Sequence, residues 1–479
     1  MHRQHSLAVL LPNSLQHTLS GRERVVGLND ETGAEVKTDA PKPPGYDEFI
    51  AAGAKFDGLN LGPKKDQLLH NIYTGMGWQV PSKIQAAALP HILSEKRPSL
   101  LGQARNGSGK TGAFTLGALA AVDPTKDQVQ ALIMSPTRLL ADDLARVVSK
   151  MAEGTGIRVG SVVRGVTFTV PVSHHVVIAT PGKLKHLMNA EPPLIDLSAV
   201  RVFVLDEADD FLINYGSEMV AMRKKMADAQ VLLFSASFFV LKPDSRPAKL
   251  CSKLLQSAHG PPVRLQVTDP TELAVSTLTH MQMQLDASAE PTCRTTTKTS
   301  LSQPDWAVKK RFIVSLYDKL DAQTLLFCST KVRVQDLADE LRKLGTAGSS
   351  LTVGVLDASM EGELVTKTIA DFNAGKLNVV VATHWAARGL DIPTLQCVIN
   401  VDLPMSSTTP SATPPPSVEG FLHCCGRVAR KGQRGVALSL LHGKHDQAAY
   451  KELVEKFHYE PLVASSDPEK LSEQIEALL

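Results

Sequence analysis

A glycine-rich run, ARNGSGKT, occupies residues 104–111 and follows a short apolar stretch at residues 99–101. Glycines at these spacings let backbone N–H groups curl around phosphate oxygens. The ammonium group of Lys110 can reach the outer phosphates of a nucleotide, and the hydroxyl group of Thr111 can bind magnesium. The run therefore predicts a phosphate-binding loop made of Ala104, Arg105, Asn106, Gly107, Ser108, Gly109, Lys110 and Thr111.

A second run, DEAD, follows the apolar residues 202–205 and consists of Asp206, Glu207, Ala208 and Asp209. The carboxylate of Asp206 can bind the same magnesium ion directly or through water, and Glu207 can orient and deprotonate an attacking water. Either run alone is also compatible with a chance match or a solvated turn before a helix. Both follow predicted strands, and they occur in this order. Together they predict an ATP site.

The composition bounds the remaining possibilities. The chain has 479 residues, 43% of them hydrophobic and 21% charged, which is typical of a soluble globular protein with two or more domains. A net charge of +2 indicates that any nucleic-acid surface is a local patch. The six cysteines lack the spacing of zinc sites or disulfide frameworks and are expected to be reduced thiols inside the cell. No apolar run approaches the roughly 18 residues that span a bilayer, so no membrane insertion is expected.

Short apolar strands alternate with helical stretches in two successive series, which predicts an α/β fold with parallel sheets. The predicted strands are residues 131–135, 176–179, 202–205 and 231–235 in the first series and 324–328, 352–356, 379–383, 397–401 and 435–440 in the second. The predicted organisation is a disordered extension (1–46), a first domain (47–265), a linker (266–276) and a second domain (277–479) with low-complexity insertions at 286–303 and 406–417. A transit peptide is the alternative for the first 22 residues, which contain no acid.

The second half offers cationic side chains that could complete a phosphate site. Arg427 and Arg430 lie three apart in the run HCCGRVAR, residues 423–430, and would share one helix face. Guanidinium groups from a second domain can stabilise charge on a transferring phosphoryl group, although the spacing alone favours solvated surface arginines. The run at residues 383–393 follows a predicted strand and could add a polar edge through Arg388, Gly389 and Asp391.

In this order, the motifs resemble those of the DEAD-box RNA helicases of superfamily 2, over roughly residues 55–479. The resemblance implies two tandem RecA-like domains, the cofactors ATP and Mg²⁺, and RNA-stimulated hydrolysis of ATP to ADP and phosphate. It also implies that Gln85, in PSKIQ, hydrogen-bonds the adenine edge and that Phe56 stacks on it. Asp391 would lie near the ribose, and Arg427 and Arg430 would be arginine fingers.

The resemblance assigns the other site residues by group. The catalytic residues would be Lys110, Asp206, Glu207, Arg427 and Arg430, with Thr111 and Asp206 at the metal. RNA would be contacted by Pro136, Thr137, Arg138, Thr180, Pro181, Gly182, Thr383, Arg388 and Gly389. Hydrolysis would be coupled to unwinding by Ser235, Ala236, Ser237 and His423.

Several positions depart from the usual family pattern, all in segments implied to contact RNA or to close the domains. They are Leu139, Gly165 (a single glycine where a Gly-Gly segment is usual), Leu364, Val365, Asn373 and Cys424. Within the family, PSKIQ, the long connection before His423, GKHDQAAY and EKFHYEP are similar to the helicases of nuclear messenger-RNA export. This likeness implies export and nuclear-pore factors as partners, and a location in the cytoplasm, the nucleus or the nuclear envelope. A monomer is expected.

The sequence therefore predicts a helicase that clamps single-stranded RNA between two domains, hydrolyses ATP and locally unwinds or remodels RNA. The low sequence preference of a backbone-binding clamp is expected as well. One alternative is an ATP-gated RNA- or protein-binding scaffold with little unwinding activity. A DNA-directed helicase or another phosphate-loop ATPase is a third possibility.

Overall fold

The computed structural model describes the chain apart from residues 1–35, 39–53, 105–106, 239–243, 257–259, 268–276, 286–300, 302–303, 347–350, 388–391, 393–394, 407–413 and 429–432 and the single residues 318, 321, 358, 361 and 458. The chain divides into two compact units, Met1–Thr268 and Asp269–Leu479. Among the described residues, no helix combines the length and apolar character that a membrane crossing requires.

The first unit is built on an eight-stranded sheet with the order β1-β8-β2-β7-β6-β3-β5-β4. Its strands are β1 Val36–Thr38, β2 Leu100–Gln103, β3 Ala131–Met134, β4 Val159–Val162, β5 Val176–Ala179, β6 Val202–Asp206, β7 Gln230–Ser235 and β8 Val263–Val267. All neighbouring strands are parallel except β1, which pairs antiparallel with β8. The helices are Lys65–His70, Lys83–Ile92, Lys110–Ala121, Arg138–Ala152, Pro181–Met188, Ala208–Asn214, Gly216–Arg223 and Arg246–Leu255, with a π-helix at Asn71–Gly75 and 3₁₀ turns at Phe56–Gly58 and Gly62–Lys64.

The central strands of this sheet are buried on both faces. Every residue of β6 and β7 is buried, and successive residues of β6 alternate between two apolar clusters. Val202 and Val204 belong to one cluster, and Phe203 and Leu205 belong to the other. A strand covered on both faces is a continuous apolar run and does not alternate between apolar and polar residues. Such runs can be recognised in the sequence, so these strands could be predicted.

The second unit contains a seven-stranded, wholly parallel sheet with the order β11-β12-β10-β13-β14-β9-β15. Its strands are β9 Leu278–Leu285, β10 Thr324–Cys328, β11 Val353–Leu356, β12 Val379–Thr383, β13 Cys397–Asn400, β14 Gly435–His442 and β15 Leu462–Val463. Its helices are Pro304–Leu316, Lys331–Thr346, Gly362–Asn373, Val418–Cys425, Gly443–Phe457 and Pro468–Leu478, with a 3₁₀ turn at His384–Ala387. The predicted α/β class, with two mostly parallel sheets flanked by helices, is confirmed.

A buried ion cluster fixes the loops at the carboxyl edge of the second sheet. The Asp402 carboxylate accepts hydrogen bonds from the Ser329 backbone N–H at 2.8 Å, from Arg333 Nη1 at 2.5 Å and from Lys309 Nζ at 3.4 Å. The Asp402 backbone carbonyl lies 2.8 Å from Nε2 of His384. Asp402 thereby joins the segments that follow β10, β12 and β13.

The nine predicted strands are confirmed, with ends shifted by at most two residues. Two other predictions need correction. The predicted disordered extension, 1–46, contains β1, and the predicted linker, 266–276, begins inside β8. A three-residue antiparallel edge strand carries too few residues to show a periodicity, so pairing with β8 decides its structure. Most of the two predicted insertions lies outside the described residues, although Ser406 N–H donates to the Pro415 carbonyl at 2.9 Å across the second insertion.

Candidate nucleotide and RNA site

The order of strands in the first unit arranges the predicted motifs along one edge of the sheet. The strands β2, β7, β6, β3 and β5 are consecutive neighbours and run parallel, so their carboxyl ends lie at the same edge. The segments that follow them are, in that order, the phosphate loop, Ser235–Ser237, Asp206–Asp209, Pro136–Arg138 and Thr180–Gly182. The coupling serines and the acids therefore stand between the predicted phosphate site and the predicted RNA segments.

The phosphate loop has the backbone of an anion cradle. Gly107 and Gly109 adopt φ values of 76° and 99°, in the left-handed region that favours glycine. A side chain on Gly107 would meet no atom within 4 Å, so the loop is open on that side. The hydroxyl of Ser108 is buried without a hydrogen-bond partner among the described residues. Lys110 is buried in the first turn of its helix, and its Nζ donates to the Ala104 carbonyl at 2.7 Å. These features fit the triphosphate of a nucleotide.

The acids of the DEAD run are held at the end of β6. Asp206 is 9% exposed, and its Oδ1 accepts the Glu207 backbone N–H at 3.1 Å. Glu207 has φ 51° and ψ 51°, a left-handed conformation uncommon for glutamate, which turns the chain into the helix that starts at Ala208. Burial, and then the neighbouring Glu207 charge, raise the pKa of Asp206 to about 7 against the attraction of Lys110. A hard divalent cation would relieve this cost, so the carboxylate of Asp206 and the hydroxyl of Thr111 fit a magnesium ion.

The last acid of the run connects to the predicted coupling segment. Oδ1 of Asp209 accepts a hydrogen bond from the Ser235 hydroxyl at 2.6 Å, and Oδ2 accepts one from the Ser237 hydroxyl. The Ser237 N–H also donates to Ser235 Oγ at 3.0 Å. All three side chains are buried, and Ala236 between the serines is buried too. The two serines are therefore hydrogen-bonded directly to the last acid of the DEAD run, in the helix that follows β6.

The predicted adenine residues behave differently from each other. Gln85 packs on the phosphate loop, where its Nε2 donates to the Gly109 carbonyl at 3.1 Å and its Oε1 accepts the Ser82 N–H at 2.9 Å. Phe56 does not support its predicted stacking role. Its ring is 1% exposed, lies in the apolar core and meets Tyr73 edge-on at 6.2 Å, so it offers no face to a base. The spacing of residues in the family pattern does not show whether this ring packs in the apolar core or faces a ligand.

The predicted RNA segments of the first unit begin two helices. Thr137 caps the helix Arg138–Ala152 and accepts the Leu140 N–H at 3.3 Å, and Thr180 precedes the helix Pro181–Met188. Arg138 is half exposed and pairs with Asp142 at 3.3 Å. A side chain on Gly182 would meet no atom within 4 Å, so the backbone there is open to close approach. Open N–H groups at helix starts suit phosphate oxygens.

In the second unit, Thr383 ends β12, and its Oγ1 is buried without a partner among the described residues. Arg427 is buried after the helix Val418–Cys425, and its Nε donates to the His423 carbonyl at 2.9 Å. His423 lies on that helix with Nε2 3.8 Å from Oε1 of Glu419. The predicted site residues Arg105, Asn106, Arg388, Gly389, Asp391 and Arg430 lie outside the described residues.

Comparison with known proteins places this arrangement in a family. The sequence matches the DEAD/DEAH box helicase domain over residues 82–243 and the helicase conserved C-terminal domain over residues 308–432. It is 31% identical over 436 residues to the ATP-dependent RNA helicase dbp5 of Schizosaccharomyces pombe, covering 88% of this chain and 77% of that protein. The chain belongs to the DEAD-box ATP-dependent RNA helicases.

Two further relatives support the same assignment. The DEAD-box ATP-dependent RNA helicase 38 of Arabidopsis thaliana is 32% identical over 423 residues, covering 86% of this chain and 77% of that protein. The solved structure of S. cerevisiae Dbp5 bound to RNA and ADP BeF3 superposes with a TM-score of 0.74 at 27% identity, covering 88% of this chain and 99% of that one. This DEAD-box protein is accordingly an ATP-dependent RNA helicase and an ATPase whose cofactor is ATP, and its two units have the RecA-like fold.

Two residues that were not singled out from the sequence pack beside the predicted motifs, one in each unit. Trp78 packs beside Gln85 and the phosphate-loop helix, and Asp402 organises three loops of the second unit. An aromatic residue three positions before Pro81 was a usable signal for Trp78. No local pattern identifies Asp402, because its cationic partners come from two distant helices.

Proposed function

We propose that this helicase is a two-unit clamp for single-stranded RNA, with residues 47–265 and 277–479 as its working domains. The order of motifs along the first sheet carries the proposal. The phosphate loop follows β2, the RNA segments follow β3 and β5, and the Asp209 cluster with Ser235 and Ser237 lies between them. A shift of the phosphate loop on release of the outer phosphate would then be transmitted to the RNA segments through the neighbouring strands.

In the nucleotide site, the loop N–H groups and Lys110 would hold the phosphates, and Gln85 would read the adenine edge. Thr111 and Asp206 would hold Mg²⁺, which when bound neutralises charge on the phosphate oxygens. Glu207 would orient the attacking water and accept its proton on a carboxylate oxygen. Arg427 and Arg430, contributed by the second unit on closure, would stabilise the charge of the transferring phosphoryl group.

RNA would be held through its backbone, by Arg138, Thr180 and Gly182 in the first unit and by Thr383 in the second. Two observations support these two assignments: the Thr383 hydroxyl is buried without a partner in the part of the chain that the structure describes, and the backbone at Gly182 is open. Contacts to phosphate and sugar carry little sequence information, so low sequence preference is expected. A strand bent by closure would be incompatible with a duplex, and local strand separation would follow.

The physiological role that we propose is messenger-RNA export at the nuclear pore, with the protein in the cytoplasm, the nucleus or at the nuclear envelope. One similar solved complex contains an S. cerevisiae Dbp5 variant bound to Nup159, Gle1, IP6 and ADP, at 26% identity and a TM-score of 0.55. Factors of this kind would be the partners of this chain. Affinity capture from nuclear and cytoplasmic extracts, with ADP or with a non-hydrolysable ATP analogue, tests this role.

Steady-state ATP turnover tests the clamp. We expect single-stranded RNA to stimulate turnover and DNA of the same sequence to do so much less. Glu207→Gln should abolish turnover but retain RNA binding in the presence of ATP, whereas Lys110→Ala should lose nucleotide binding. Arg427→Ala should bind ATP and fail to hydrolyse it. Tight RNA binding by the wild type without any turnover would instead select the ATP-gated scaffold.

A further inference from the structure

Gly112, in the first turn of the helix that follows the phosphate loop, is crowded by side chains from outside the loop. A Cβ atom on Gly112 would lie 2.8 Å from both Cη2 and Cζ3 of Trp78, and closer still to Nε2 of Gln85. Carbon atoms in optimal contact are about 3.5–4.0 Å apart. Gly112 has an ordinary helical conformation inside Lys110–Ala121, so the space around it, and not its backbone, demands glycine.

The Trp78 ring lies beside the helix that follows the phosphate loop. Trp78 is half buried and packs against the apolar core. The far end of its indole ring and the Gln85 amide both approach the missing side chain of Gly112. The same amide donates to the Gly109 carbonyl. An indole ring is rigid and moves as a unit, whereas a glutamine amide swings freely.

We propose that Trp78 is a positioning residue of the nucleotide site. Its indole ring fills the space that Gly112 leaves open and confines the Gln85 amide against the phosphate loop. Trp78 and Gly112 form a size-matched pair, so enlarging Gly112 is tolerated only when Trp78 is made smaller. This inference rests on the proposed roles of Gln85 and the phosphate loop in binding ATP.

The test is a double-mutant cycle on the full-length protein, with KM and kcat measured for ATP and for GTP at saturating single-stranded RNA. Helix propensity alone predicts that Gly112→Ala is beneficial. We expect instead that it raises KM for ATP about tenfold, with kcat changed less than about threefold, because Gln85 is displaced. Trp78→Phe lacks the two clashing ring atoms and leaves room for the flexible Gln85 amide, whose clash with the new Cβ atom remains, to shift without leaving the loop. Trp78→Phe with Gly112→Ala should therefore return KM to within about threefold of the wild type.

Gly117→Ala is the matched control. It is the same substitution in the same helix, and its Cβ would meet Cγ2 of Ile92, far from Gln85. It should lower the thermal unfolding midpoint and leave KM nearly unchanged. Trp78→Ala should narrow the ratio of KM for GTP to KM for ATP, because an unconfined Gln85 discriminates bases poorly. A merely structural role for Trp78 would not alter that ratio.

Two results would overturn the inference: a Gly112→Ala protein with the KM of the wild type, or a double variant no better than Gly112→Ala alone. A wild-type protein without RNA-stimulated turnover would refute the proposed function instead. The four proteins of the double-mutant cycle (wild type, Gly112→Ala, Trp78→Phe and the double variant) would then be titrated with a fluorescent ADP analogue. The same pattern in Kd would support the Trp78–Gly112 pair, and equal Kd values would overturn it.

Discussion

Replacing Asp402 with asparagine removes the negative centre of the buried ion cluster in the second unit. Asp402 is 4% exposed, and its cationic partners Lys309 and Arg333 are equally buried. Asparagine has nearly the same side-chain shape as aspartate and can still accept a hydrogen bond from the Ser329 N–H. The effect of the substitution therefore reports mainly the loss of the negative charge.

The expected loss in the free energy of unfolding depends on which acids still pair with Lys309 and Arg333. Breaking a buried ion pair by removing one partner costs about 3–5 kcal/mol. Here Lys309 keeps Asp446 at 2.8 Å, and Arg333 keeps Asp305 at 3.1 Å. Because both cations retain an acid, we expect the lower end of that range, about 3 kcal/mol.

Amide hydrogen exchange in the full-length protein measures this loss in the second unit alone. The amides of β10 and β13 lie in the centre of the sheet, so they should exchange only when the unit opens. A loss of about 3 kcal/mol corresponds to exchange about a hundredfold faster. Asp339→Asn is the control, since Asp339 forms an exposed pair with Arg342 on the helix that carries Arg333. Unchanged exchange in Asp402→Asn would refute the stabilising role of the cluster.

The same cluster sets a pH dependence. Burial alone would raise the pKa of Asp402, but Lys309 and Arg333 outweigh burial and lower it. The pKa of an aspartate in an unfolded chain is about 3.9. The stabilisation is therefore complete above that pH and is lost as the pH falls through the lower native pKa. The stability difference between wild type and Asp402→Asn should be constant from about pH 7 to 5 and shrink below about pH 3.9. A difference that grew on acidification would contradict this sign.

Two other predictions concern the first unit. Ser235→Ala combined with Ser237→Ala leaves the buried Asp209 carboxylate without its two hydroxyl donors, so we expect a loss of about 3 kcal/mol in urea unfolding; an unchanged midpoint would argue against this network. Lys64→Met removes the ammonium group that donates to the Val122 carbonyl at 2.6 Å, at the end of the phosphate-loop helix. This change should cost about 1 kcal/mol by thermal unfolding, and a midpoint equal to that of the wild type would exclude a capping role.

Much of the fold could be predicted from the sequence because its strands are short, continuous apolar runs buried on both faces. Nine strands, the α/β class and the phosphate loop follow from local pattern. The edge strand β1 could not be predicted this way, because three residues are too few to show a periodicity and it is defined by its pairing with β8. In β8 the apolar and polar residues of VRLQV alternate as in a strand, so the predicted linker boundary at residue 266 was wrong although a local pattern for the strand was present.

The sequence by itself determined which residue types are available for the chemistry: the glycines and Lys110 of the loop, the acids after β6, and the family to which they belong. Tertiary structure alone decided how they are used. It took Phe56 into the core, set Trp78 against Gly112, and gathered Lys309 and Arg333 around Asp402. The physical reason is that motifs record neighbours along the chain, whereas burial, ring packing and charge compensation depend on side chains that are distant in sequence and meet only after folding.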